Sequence, residues 1–261
     1  RRLHPIGISA VVCLSNHFHL LLQVPDAQRL ADFMQYVNCN LAREVARLTG
    51  WHTKIFATRY RAIPVSDEES AQIERLRYIL SHGCKENLVA HLLDWPGVHM
   101  VQAILGGEPL RGYRFDRSQE YAARCRREEF ETYRYATPEE LVLDPLPCWK
   151  HLSPEQYRAR IAAMVEEIEA EAAAARKRTG SQPLGRNAIL LQNPLHHPEK
   201  VKRAPAPRIH AASQAVRKWF YKIYSDFVRD FRDAAEQLRA GNLKAPFPRG
   251  CFPPALPFVG T

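Results

Sequence analysis

The runs Gly7-Ile8-Ser9-Ala10-Val11-Val12-Cys13-Leu14 and Phe18-His19-Leu20-Leu21-Leu22, parted only by Ser15-Asn16-His17, constrain this chain more than any other stretch. Short, apolar and rich in branched residues, they read as strand and demand cover on their faces. Ser15-Asn16 either separates two strands or kinks one long strand. In both cases alternation sends His17 and His19 to one face and Phe18, Leu20 and Leu22 to the other. Two imidazoles converging from one rigid strand make half of a divalent-metal site. Two ordinary strand histidines give the same pattern, so a third ligand and a reactive group downstream must decide.

With 261 residues, 46% of them hydrophobic, the chain can bury a real core, and one domain plus an accessory region is expected. No apolar run approaches the ~20 residues that cross a bilayer, and no signal peptide is visible, so the expectation is a cytoplasmic protein without a membrane partner. Cys13, Cys39, Cys84, Cys125, Cys148 and Cys251 are scattered, with no Cys-x-x-Cys pair, which argues against a disulfide framework and a cysteine zinc site. The net charge of +9 suits a polyanionic partner, although solvated lysines and arginines give the same sum. Both parts of the chain share it, +3 within residues 1 to 90 and +6 beyond. The first residue is not Met and a strand follows almost at once, as in a fragment whose fold is truncated at its N-terminal part.

Asp26 can cap a helix with Leu30, Phe33, Met34, Val37, Leu41, Val45 and Leu48 at helical spacing, closed by Gly50. Within Lys54 to Val65, the alternation Thr58-Arg59-Tyr60-Arg61-Ala62-Ile63 predicts a strand ended by Pro64, with Arg59 and Arg61 on one face toward phosphate or solvent. Ser66 with Glu69 makes a capping-box pattern for a helix running through Ile73, Leu76, Ile79 and Leu80 to Gly83. Its buried stripe of Ile73, Leu76 and Leu80 leaves Glu74, Tyr78 and His82 at four-residue steps on an adjacent face. By spacing alone Tyr78 and His82 could be an ordinary boundary pair; joined to His17 and His19, they could converge on one site.

Asn16-His17-Phe18-His19-Leu20-Leu21-Leu22, the long helix with Asn38 and Arg43, Arg59-Tyr60, Arg77-Tyr78-Ile79 followed by Asn87-Leu88-Val89, and the turn Asp94-Trp95-Pro96-Gly97 together resemble the HUH single-tyrosine transposases. The likeness is greatest to the REP-associated tyrosine transposases and spans about residues 7 to 105. It implies an α+β fold: a ferredoxin-like antiparallel sheet with helices on one face, the HUH endonuclease fold. It further implies a divalent metal, magnesium or manganese, on His17 and His19, with a polar residue four positions after the tyrosine completing the site. The tyrosine cuts single-stranded DNA in that family, which assigns the role to Tyr78. One departure stands out: relatives usually carry Gln or Asn at the fourth position, and this chain has His82. A third imidazole favours softer ions such as manganese and admits zinc.

These groups make chemical sense together. A tyrosine hydroxyl, with a pKa of about 10, is mostly protonated at neutral pH and attacks phosphorus poorly without help. A metal held by His17, His19 and His82 would draw charge from the scissile phosphate and stabilise the leaving oxygen. Glu74 is a candidate to orient Tyr78 or take its proton, or a solvated helix carboxylate. Arg59, Tyr60, Arg61, Arg75 and Arg77 are candidates for DNA contacts, with Tyr60 as a stacking ring; Arg75 and Arg77 equally suit plain surface charge. Tyr36 and Tyr60 are rival nucleophiles by residue type alone.

Domains are expected at residues 1–105, the catalytic part, and 106–261, a basic and mainly helical accessory region. Residues 111 to 134 interleave Arg111, Arg114, Arg117, Arg124, Arg126, Arg127 and Arg134 with Tyr113, Phe115, Tyr121, Phe130 and Tyr133. That mixture suits single strands or hairpins, or a charged helix packing its rings. Ser153 and Pro154 open a Glu- and Ala-rich helix ending near Gly180, a linker or extended arm is expected at about 181–208, and a last helix over about 210 to 240 precedes a Pro-rich tail. Partners of this reading are single-stranded or hairpin DNA and a second copy of the chain as a homodimer. Two alternatives stay open: a domesticated DNA-binding protein without catalysis, and a metal hydrolase using activated water.

Overall fold

The computed structural model describes residues 3–193, 196 and 207–254. Its elements are strands β1 (Gly7–Cys13) and β2 (Phe18–Gln23), helices α1 (Ala27–Thr49), α2 (Glu69–Leu80) and α3 (Val101–Gly106), strand β3 (Leu110–Phe115), helix α4 (Arg117–Cys125), strand β4 (Ala136–Leu141), and helices α5 (Pro154–Thr179), α6 (Arg186–Leu190) and α7 (Gln214–Arg239). The architecture is a mixed α+β one, with β1 paired to β2 and β3 paired to β4 in separate two-stranded sheets. Two compact units form, and they do not coincide with residues 1–105 and 106–261. One gathers Gly7–Leu22 and Leu76–Gln192; the other includes Gln23–Arg75 and the chain from Asn193 onward.

In the first unit, Ser15-Asn16 separates two strands, and the Leu14 N–H bonds to the His17 carbonyl across the turn. The run in β1 is apolar because the strand is covered: Ile8, Ser9, Ala10 and Val12 are buried. Beyond the pairing with β2, Cys13 N–H bonds to Val98 O, Met100 N–H to Val11 O, and Ile8 exchanges bonds with Asp144. Leu76, Ile79, Leu80, Met100, Val101, Leu146, Trp149 and Ile161 fill the same core. Asp94-Trp95-Pro96-Gly97 closes on it, since Trp95 is buried and its Nε1–H donates to Cys13 O at 3.0 Å. A Cβ on Gly97 would stand 2.8 Å from Trp95 Nε1 and 3.3 Å from Cys13 O, between the partners of that bond. Gly97→Ala is therefore expected to cost about 1–3 kcal/mol of stability, read from the urea midpoint; an unchanged midpoint would contradict this.

Buried His99 also belongs to this core. Its Nε2 lies 3.2 Å from Leu80 O, and Nδ1 accepts the Val101 N–H at 3.2 Å, so the neutral ring satisfies both neighbours. Burial pushes its pKa down to about 4, with the nearby His82 acting in the same direction and the Leu80 carbonyl opposing. As pH falls below 6.5 the unfolded chain takes the proton first, so stability is full above that value and drains away toward pH 4. We expect this group to remove up to about 3 kcal/mol over that window. Urea titrations at pH 7 and pH 4.5 should show the fall, and His99→Gln should make it shallower; equal falls in the two chains would exclude His99 as the cause.

The basic and aromatic stretch is neither one helix nor an unpaired cationic surface. Strands β3 and β4 pair antiparallel from Leu110↔Leu141 to Phe115↔Ala136, with α4 between them. Arg111 bonds Glu140 and Glu108, Arg114 bonds Glu139, Arg124 bonds Glu120 and Arg126 bonds Glu128, while Tyr133 packs on Tyr113 and Phe115. Such exposed pairs contribute little each, and they occupy much of the segment's charge. Helix α5 begins with a complete Ser153–Gln156 capping box and ends at Gly180 with φ 64°, as its sequence predicts. Within the expected linker, the described part through Gln192 docks instead: Leu184 and Gly185 N–H bond to Asn87 O and Leu88 O, and Ile189 is buried. Pro194, Pro198 and Pro205 lie outside the described residues.

In the second unit, α1 has the Asp26 cap and a left-handed Gly50 terminus, and it buries Phe33 and Met34. The predicted strand at residues 58–63 does not form. Among the described residues no strand pairs with it, and only Val65 makes a bridge, parallel to His210. Alternation marks a strand only where a neighbour completes the ladder. Ser66 Oγ donates to Glu68 Oε2, and the Glu68 carboxylate receives the N–H groups of Ala212 and Ser213 just before α7. No helix among the described residues is long and apolar enough to cross a membrane.

Candidate metal centre

Three segments of the first unit bring the site together. The β1–β2 turn and the start of β2 carry His17 and His19, the last turn of α2 carries Tyr78, and the turn after it carries His82. Helix α2 stops at Leu80, two residues before His82, rather than running on to Gly83. The chain turns there because Gly83 takes φ 95°, a conformation costly for other residues, and its carbonyl receives the N–H groups of Leu88 and Val89. Leaving the helix lets His82 fold into the protein, with its side chain only 3% exposed.

One nitrogen from each of His17, His19 and His82 lies within 4.8 Å of the others. The His17 and His19 ring centroids are 5.0 Å apart, and His19 stacks on His82 at 4.4 Å with 10° between planes. Tyr78 meets this cluster edge-on, 5.8 Å from His19 and 4.9 Å from His82. Above its ring sits Lys85, with Nζ 3.9 Å from the centroid. Glu86 closes the far side: Oε1 is 2.8 Å from His82 Nδ1, and Oε2 accepts the Gly83 N–H at 2.8 Å.

Charge distribution suits a cation ligand set. Burial, then the proximity of His82, His17 and Lys85, pushes the His19 pKa down to about 4 against the opposing pull of Glu86. At neutral pH this ring is an unprotonated donor. Burial would raise the Glu86 pKa, but hydrogen bonds from His82 and the Gly83 amide, with the Lys85 charge, hold it down to about 2. His82 Nε2 is buried without a hydrogen-bond partner. An orphaned buried acceptor costs about 1–3 kcal/mol unless something binds it. That orphan and the three-imidazole donor set fit a divalent ion, so the cluster could hold a metal.

Arg77, on α2, bonds through its two terminal nitrogens to Glu167 and Glu171 of α5, at 2.8 and 2.7 Å. Arg59, Tyr60, Arg61, Glu74 and Arg75 belong to the second unit, as does Tyr36. There the Arg59 guanidinium lies between the rings of Tyr60 and Phe252, beside a cavity of about 380 Å³ also lined by Gln28, Gln35 and Asn38. Sequence reasoning passed over Lys85 and Glu86. Glu86 follows His82 by four residues, a spacing that could have marked it as a partner. All six cysteines are free, and burial pushes the Cys84 thiol up to about 12, so it takes no part as a thiolate near neutrality. Comparison with known proteins finds no matching family model, curated protein or solved structure.

Proposed function

We propose that this chain is a metal-dependent single-stranded DNA endonuclease and strand transferase of the HUH single-tyrosine type, acting through a 5′-phosphotyrosine. The reading rests on one observation above the others: a tyrosine ring packed against a three-histidine cluster, with a lysine ammonium over that ring. It also accords with the resemblance of residues 7 to 105 to that family. The finer fold assignment, a ferredoxin-like HUH sheet, belongs to this proposal as well.

A divalent ion on His17, His19 and His82 would supply Lewis-acid polarisation of a phosphate oxygen. The all-nitrogen donor set suits zinc best, while manganese is an ion that the family resemblance implies. Tyr78 Oη attacks phosphorus, the bond from phosphorus to the 3′ oxygen breaks, and the strand leaves with a 3′-hydroxyl. Oη loses a proton as the 3′ oxygen gains one, so the step is proton-neutral. Lys85 places a positive charge over the Tyr78 ring, where it would favour an anionic phosphate drawn to the site. Phosphodiester energy stays in the tyrosine ester, so a second 3′-hydroxyl can reverse the step and join strands.

Incubating the protein and manganese with end-labelled single strands, drawn from a pool of hairpins of varied sequence, tests the proposal. A protein–DNA band that survives denaturant, and that chelator abolishes, is expected. Cleavage without a covalent band would favour the hydrolase, with water as nucleophile. Binding without cleavage would favour the domesticated DNA-binding protein.

A further inference from the structure

We infer that Glu86 is a positioning residue for the metal site: it fixes the ring tautomer of His82 so that Nε2 is the nitrogen offered to the ion. The inference rests on the metal-site reading above. A carboxylate only accepts hydrogen bonds, so the 2.8 Å contact from His82 Nδ1 to Glu86 Oε1 makes Nδ1 the protonated nitrogen. A neutral ring carries one proton, and Nε2 is left with its lone pair. That atom is the one found buried and without a hydrogen-bond partner.

Backbone geometry anchors Glu86 in turn. Its second oxygen holds the Gly83 amide at 2.8 Å, within a turn where Lys85 N–H bonds to Ser81 O and Leu88 N–H bonds to Gly83 O. A side chain gripped at both oxygens has little freedom, so the imidazole it holds is preset in angle as well as tautomer. Carboxylate–histidine–metal arrangements work in this way, and loss of the outer carboxylate typically weakens metal binding about 10–100-fold. His17 has a neutral amide in the corresponding place, with Nδ1 2.6 Å from Asn16 Oδ1. Glu86 thus brings a carboxylate to the cluster and would offset part of a bound ion's charge. Here the sequence places the orienting residue four positions after its ligand, in the turn that follows α2.

The test uses the full chain without metal and then with manganese. Nitrogen-15 spectra of metal-free wild type should show His82 with Nδ1 protonated and Nε2 bare. Glu86→Ala should mix the tautomers and weaken manganese binding, measured by calorimetry, about 10–100-fold. Glu86→Gln retains one oxygen acceptor and should keep the tautomer, with affinity much closer to wild type. A proton on Nε2 in the wild type, unchanged tautomer and affinity in Glu86→Ala, or no manganese binding by the wild type would each overturn the inference. Its fate is separable from that of the transposase proposal, since a chain that passes these measurements yet forms no DNA adduct keeps Glu86 in this role.

Discussion

Tyr78→Phe is expected to bind manganese and single-stranded DNA like the wild type and to form no covalent adduct at all. The substitution removes one oxygen and keeps the ring. The contacts of that ring with His19, His82 and the Lys85 ammonium do not require the hydroxyl, so fold and cluster should persist. Loss of the nucleophile should lower strand cleavage by about 10³-fold or more, because the remaining groups can polarise phosphate but have nothing to attack it with. Denaturing gels of the labelled strand measure both outcomes. An adduct that persists in Tyr78→Phe would move the nucleophile to another residue. Unchanged cleavage without adduct in both chains would turn the site into that of a hydrolase.

Part of this cluster is legible in the sequence. Alternation marks His17 and His19 as a pair, although only His19 lies in β2 and His17 ends the turn before it, and four-residue spacing brings Tyr78 and His82 near the same face. The proximity does not need the helix to reach Gly83, since the turn after Leu80 leaves the Tyr78 and His82 rings 4.9 Å apart. Four-residue spacing from His82 marks Glu86 only as a possible partner; its anchoring by the Gly83 amide belongs to a turn that helical periodicity does not describe. The failed strand at residues 58–63 has a different cause. Its alternating side chains were real, but strand formation is decided by a partner that the local sequence does not encode. For the basic stretch from Arg111 onward, counting arginines without the interleaved Glu120, Glu128, Glu139 and Glu140 overstated the free charge, and folding pairs them. The caps of α1 and α5 are legible, since Asp26, Gly50, Ser153 and Gly180 act through bonds within a turn of themselves, whereas the expected Ser66–Glu69 box does not form: α2 starts at Glu69, and Ser66 Oγ donates to Glu68.

His19→Ala should abolish metal-linked behaviour while leaving the chain folded. His19 sits at the centre of the cluster, 5.0 Å from the His17 ring and stacked on that of His82, so its removal leaves two nitrogens that a single ion must share with water. Loss of a direct ligand should exceed the effect of an outer-shell change, weakening manganese or zinc binding by more than about 100-fold. The thermal transition supplies a second measurement. An ion at about 100 times its dissociation constant stabilises the native state by about 2.7 kcal/mol, so metal should raise the wild-type midpoint and leave His19→Ala where it began. Acid supplies a third. The ion competes with protons for imidazole, and the low pKa of His19, about 4, keeps this ligand available well below neutrality. Removing it therefore takes away a donor that mild acid leaves unprotonated, so the loss of binding in His19→Ala should be as complete in mild acid as at neutrality. Equal metal shifts in the two chains would place the ion elsewhere and dissolve the link between Tyr78 and its cluster.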